Sequence, residues 1–168
     1  VLDGQPANDV VISVSSADTD EATVSPSTLT FTSSNWDDTQ TVTVTGVDDN
    51  VDDGNQDTAV TMSVVDASSN DYFDSVSDQA VTVTTVDDDA VGFTLSTTSA
   101  TVTEGGSTAT FTVVLDSEPS SDVVLSVASG DTGEATVSAS TLTFTNGNWN
   151  ATQTVTVTGV DDSVDDGN

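Results

Sequence analysis

The sequence predicts an all-β protein in which antiparallel β-sandwiches are repeated in tandem. Val and Thr alternate with period two through nearly every ordered-looking segment, the pattern of half-buried strands. No window carries apolar residues at helical spacing. Turn residues punctuate the runs at short intervals, as expected of a sandwich of about 100 residues.

A repeat organises these segments. Val1–Asn55 aligns without a gap on Val114–Asn168, with 41 of 55 positions identical, so the period is 113 residues. The chain therefore holds about one and a half periods. Residues 1–90 read as a partial first repeat that lacks strands A and B. Residues 91–168 read as a partial second repeat that lacks strands F and G.

The strands follow in order through the second repeat. Phe93–Thr103 and Ser107–Leu115 are expected as A and B, parted by the turn Glu104-Gly105-Gly106. Val123–Ala128 is C, Ala135–Val137 is a short D, and Thr141–Thr145 is E. Thr152–Val160 is a long alternating strand, with Val155 and Val157 on one face and Thr154, Thr156 and Thr158 on the other. The first repeat supplies the remainder, Thr58–Asp66 and Gln79–Val86.

The charge is one-sided. The chain has no Lys, Arg or His and 29 acidic residues, a formal net charge of -29. It can form no side-chain salt bridge, and two carboxylates about 4 Å apart repel by roughly 1 kcal/mol even in bulk water. Nothing can neutralise a phosphate, which excludes nucleic acid, and attachment to an anionic membrane fails for the same reason. Without Cys or His, zinc and transition-metal sites are not expected. No His, Lys or Cys is present to activate a Ser or Thr hydroxyl, and the Asp recur in repeated copies, so the chain reads as a non-enzyme. No apolar run approaches the ~20 residues of a membrane helix, so no direct membrane insertion is expected.

The acids are also grouped. Of the 29, 25 are Asp, and they gather as Asp48-Asp49, Asp52-Asp53, Asp87-Asp88-Asp89, Asp161-Asp162 and Asp165-Asp166. Short Asp clusters beside Gly and Asn suit turns and oxygen-rich metal loops; solvated charge alone would be spread more evenly. Alternate loops of a sandwich lie at the same end. The loops carrying Glu104, Asp131 and Asp161–Gly167, and the exit at Asp87–Asp89, would thus share one pole. Such a pole repels itself unless it takes up a hard cation, and Ca²⁺ is the expected cofactor. Between the copies, Asp20, Asp37 and Asp38 become Gly133, Asn150 and Ala151, so these three are not expected to be essential ligands.

The segments TVTEGGSTATFTV, TLTF…TQTVTVTGVDD and VTVTTVDDD, taken together, resemble the Calx-beta repeat. The resemblance implies an immunoglobulin-like sandwich with Ca²⁺ at one end. It implies ligands at Glu104, at the pairs Asp48-Asp49 and Asp161-Asp162, and at Asp53 and Asp166 further along the loop. It adds the closing triplet Asp87-Asp88-Asp89. Asp52 and Asp165 neighbour the loop ligands, and Asp18 and its counterpart Asp131 supply the acid of the C–D region. The family's loop often ends in a second Glu, where this chain has Gln56 and Asp57.

Trp36 and Trp149 hold matching positions before the long strand. Each is expected to plug one end of a core of Val, Leu and Phe; the competing reading is a stacking platform for sugar. The expected function is a calcium-binding extender repeat of a secreted or cell-surface adhesin or fibre, with Ca²⁺ rigidifying the junctions between repeats. Its partners would be neighbouring repeats of the same chain or fibre. The alternatives are a carbohydrate-binding module that recognises surface glycans, and a filament subunit completed by strands from a neighbouring copy.

Overall fold

The computed structural model describes residues 1–163. Apart from two single 3-10 turns at Asp66–Ser68 and Asp71–Phe73, its regular structure is all β, and every strand pairing is antiparallel. Contacts divide the chain into two compact units. Unit 1 is Val1–Asp49 with Asp53–Asp87, and unit 2 is Asn50–Asp52 with the chain from Asp88 onward.

Unit 1 contains β1 (Val10–Ser16), β2 (Ala22–Ser25), β3 (Thr28–Phe31), β4 (Thr43–Gly46), β5 (Gln56–Val64) and β6 (Gln79–Thr85). One sheet runs β3-β1-β5-β6 and the other is the pair β2-β4. Alternation assigns the faces. In the TLTF of β3, Leu29 and Phe31 are buried while Thr28 and Thr30 are exposed. The core is Val14, Leu29, Phe31 and Val60, with Val24 and Val42 packed on it from the side of the second sheet. Two sheets enclosing one apolar layer make this unit a sandwich.

Unit 2 contains β7 (Phe93–Leu95), β8 (Thr108–Leu115), β9 (Val123–Ser126), β10 (Ala135–Val137), β11 (Thr141–Phe144) and β12 (Gln153–Gly159). Its four-stranded sheet runs β10-β12-β8-β7, and its pair is β11-β9. Val113, Leu115 and Val155 of the large sheet meet Leu142 and Phe144 of the pair, and Trp149 packs against this cluster. Offset by the repeat, the units are complementary in content. Unit 1 has the β5-β6 hairpin with no counterpart of β7-β8, and unit 2 has β7-β8 with no counterpart of β5-β6 among the described residues.

One expected strand is much shorter than its sequence suggests. Phe93–Thr103 forms a strand only over Phe93–Leu95. The Thr97 hydroxyl donates to the Ser99 carbonyl (2.8 Å) and accepts from the Ser99 N–H (3.2 Å). This local hydrogen-bonded turn competes with the ladder and ends it.

Candidate metal centre

Unit 1 draws carboxylates together from three stretches of chain. Glu21, immediately before β2, Asp49, after β4, and Asp53, before β5, each bring one carboxylate oxygen within 4.8 Å of the others. Backbone bonds fix the approach. The Val47 N–H donates to the Glu21 carbonyl (2.8 Å), which ties the start of the β4–β5 loop to the entry of β2. The Thr85 hydroxyl donates to the same carbonyl (2.9 Å), so the end of β6 is held there too. Gly54, at φ +77, donates its N–H to the Asp87 carboxylate at 2.7 Å. That left-handed turn suits Gly and folds the loop back toward the exit of β6.

The electrostatics match the crowding. The Glu21 carboxyl titrates above its ordinary 4.5. Partial withdrawal from water is the leading cause, followed by repulsion from Asp53, Asp18, Asp49 and Asp20 in turn. Two ligands on opposite sides of a Ca²⁺ ion lie about 4.6–5.2 Å apart, twice the usual Ca–O distance. The triad's spacing and its all-oxygen donor set therefore fit a hard cation of that size.

The other candidates of unit 1 are placed differently. Asp18 is exposed, and its carboxylate accepts the Asp20 N–H (3.0 Å), forming an Asx turn beside the triad. Asp48 is exposed between Val47 and Asp49 and is not one of the three grouped carboxylates. Asp87 is engaged with Gly54.

In unit 2 the matching backbone contacts recur, without a second group of three carboxylates among the described residues. The Val160 N–H donates to the Glu134 carbonyl (2.9 Å), repeating the Val47–Glu21 bond and setting Asp161 and Asp162 beside the entry of β10. Asp131 repeats the Asx turn of Asp18, accepting the Gly133 N–H at 2.9 Å. Glu104 approaches from the β7–β8 connection. Gly159 lies so close to the Thr103 carbonyl oxygen that a Cβ there would fall on it, so this glycine lets the Glu104 turn rest on the end of β12. Asp52 belongs to unit 2, where its carboxylate accepts the Val91 N–H (2.8 Å). Asp88 and Asp89 lie between β6 and β7 in the same unit. Asp165 and Asp166 fall outside the described residues.

Sequence reasoning missed Glu21. A signal was available: Glu21 and Glu134 occupy the same position in both copies while Asp20 becomes Gly133, and the chain has only four Glu in all. The tryptophans are both half-buried, Trp149 against the core of unit 2. Among the described residues no helix is long and apolar enough to cross a membrane. No protein-family model matches the sequence, and no curated protein matches it.

Proposed function

We propose that this chain is a calcium-binding structural repeat of an extracellular surface protein or fibre, similar to the Calx-beta repeat in its motifs. The observation that carries the reading is the triad Glu21, Asp49 and Asp53, three carboxylates held within 4.8 Å by backbone bonds in a chain without a basic side chain. Holding them there without a cation costs free energy, and a divalent ion removes the repulsion. The fixed donors are hard oxygens, which favours Ca²⁺ over softer metals. A spacer role suits the repeated architecture, in which each unit is a β-sandwich.

Extracellular modules of this kind bind Ca²⁺ with dissociation constants of about 10⁻⁴–10⁻³ M. At ten times that concentration one site adds ~1.4 kcal/mol to stability. The test is thermal unfolding in EDTA and in millimolar Ca²⁺, with calorimetric titration of the metal. Ca²⁺ should raise the melting temperature, and replacing Asp49 and Asp53 together by Asn should remove most of the shift. The double substitution of Asp37 and Asp38 by Asn should leave it in place. Equal melting curves in EDTA and Ca²⁺ refute the reading.

A further inference from the structure

The turn that leads from β11 to β12 carries three asparagines, each in a different setting. Asn148 is half-buried and engaged at both ends of its amide. Its side-chain oxygen accepts the Thr145 N–H (2.6 Å) and the Thr145 hydroxyl (3.2 Å), and its nitrogen donates to the Thr143 carbonyl (3.5 Å). Asn150 is exposed and is followed by Ala151. Asn146 is exposed and has no side-chain hydrogen bond among the described residues. It precedes Gly147, the one Asn-Gly step in the sequence. The same turn in unit 1 has Ser33-Ser34 there, with matching bonds from the Thr32 N–H (2.5 Å) and hydroxyl (3.0 Å) to Asn35. A Cβ at Gly147 would meet only the Thr145 hydroxyl, at 3.8 Å, so packing does not require this glycine.

We propose that Asn146-Gly147 is a self-modification site, at which Asn146 converts to aspartate and isoaspartate and so loosens the seat of Trp149 in unit 2. The Gly147 backbone nitrogen attacks the side-chain carbonyl carbon of Asn146. A C–N bond forms, the side-chain nitrogen leaves as ammonia with the Gly147 amide proton, and a cyclic succinimide closes. Water then adds to either carbonyl of the ring that came from Asn146 and breaks its bond to nitrogen. Opening at the main-chain carbonyl gives isoaspartate, and opening at the other gives aspartate; neither step oxidises or reduces anything. Glycine favours the closure, because it has no Cβ to crowd the nitrogen or restrict the backbone. The Gly147 N–H is held by a 3.3 Å bond to the Thr145 hydroxyl, longer than the ~2.7–3.2 Å of a strong one, so little opposes its release. Isoaspartate lengthens the main chain by a methylene inside the turn that Asn148 closes on Thr145. Trp149 follows directly: it packs on the unit 2 core, and its carbonyl accepts the Leu115 N–H (3.2 Å) at the end of β8. Unit 1 has no Asn-Gly step, so this change belongs to unit 2.

The experiment ages the full chain in mildly alkaline buffer and cleaves it ahead of Asp, which releases residues 131–160 as one fragment. Mass spectrometry with electron-transfer fragmentation then locates any exchange of amide for carboxyl and separates aspartate from isoaspartate. The mass shift should fall on residue 146 and be absent from 148 and 150. It should vanish in the chain carrying Asn146→Ser with Gly147→Ser, which restores the unit 1 sequence at this turn. The effect on the fold is read by hydrogen exchange at single-residue resolution. In the aged parent the Leu115 amide should exchange more than about tenfold faster, while the Val14 amide, bonded to the Ser27 carbonyl in unit 1 (2.8 Å), keeps its rate. The aged double variant should keep both rates. An unshifted residue 146, or equal shifts at 146, 148 and 150, overturns the site. A shift at 146 with an unchanged Leu115 rate overturns the link to Trp149.

Discussion

Glu21 is the residue on which the acidic end of unit 1 turns. It is half-buried at the entry of β2, its carbonyl is held by Val47 and Thr85, and its carboxyl faces Asp49 and Asp53. Glu21→Gln removes one anion from that group and keeps its size. In EDTA the variant should melt at a higher temperature than the parent, because like-charge repulsion falls. In Ca²⁺ the order should reverse, because a ligand is lost. A crossing of the two melting series is the expected result, and a variant that melts higher in both buffers would argue against metal binding here. Thr58 offers a separate test. Its hydroxyl is buried in β5 without a hydrogen-bond partner among the described residues. A buried unpaired hydroxyl costs about 1–3 kcal/mol, so Thr58→Val should stabilise unit 1 by about 1 kcal/mol in chemical denaturation.

At the scale of elements, alternation is what made the strands readable. TLTF recurs as β3 and β11, and in both the Leu and Phe point inward while the Thr face water. Phe144 is fully buried among Val113, Leu142 and Val155, so Phe144→Ala should cost about 3–5 kcal/mol. Loss of the unit 2 unfolding transition while that of unit 1 persists would check it. Where alternation misled, side chains competed with the ladder: the Thr97–Ser99 turn cut short a run that reads as strand through Thr103. The loops were less legible than the strands. Of the acids in the Asp clusters, Asp49 and Asp53 come together. Which acid of each cluster points inward depends on loop conformation, and no periodicity encodes that. Asp52 differs from Asp53 by one position, yet its carboxylate is taken by the Val91 N–H. Glu21 directly follows Asp20 at the entry of β2, outside the paired Asp clusters that mark the other acidic loops.

For the whole molecule the governing quantity is a net charge of -29 with no basic side chain to offset it. Crowding of this kind is not confined to the triad. At the two 3-10 turns, the Asp74 carboxyl also titrates above its ordinary 3.8, through partial desolvation first and then repulsion from Asp66 and Asp71. Added NaCl, which shortens the Debye length to about 10 Å at 0.1 M, should therefore raise the melting temperature in EDTA. The gain should be smaller in Ca²⁺. The pH response has a sign fixed by the same groups. A carboxyl whose folded-state pKa lies above its unfolded value binds its proton more tightly when folded. Glu21 and Asp74 thus weaken the fold once ionised, and in EDTA stability should rise as pH falls through the window just above 4.5 for Glu21 and 3.8 for Asp74. Bound Ca²⁺ lowers the pKa of its ligands, so protons then compete with the metal and the slope reverses. Melting temperatures taken between about pH 6 and pH 4 should rise on acidification in EDTA and fall in Ca²⁺. Parallel slopes in the two buffers would show that the carboxylates of the triad do not share a cation.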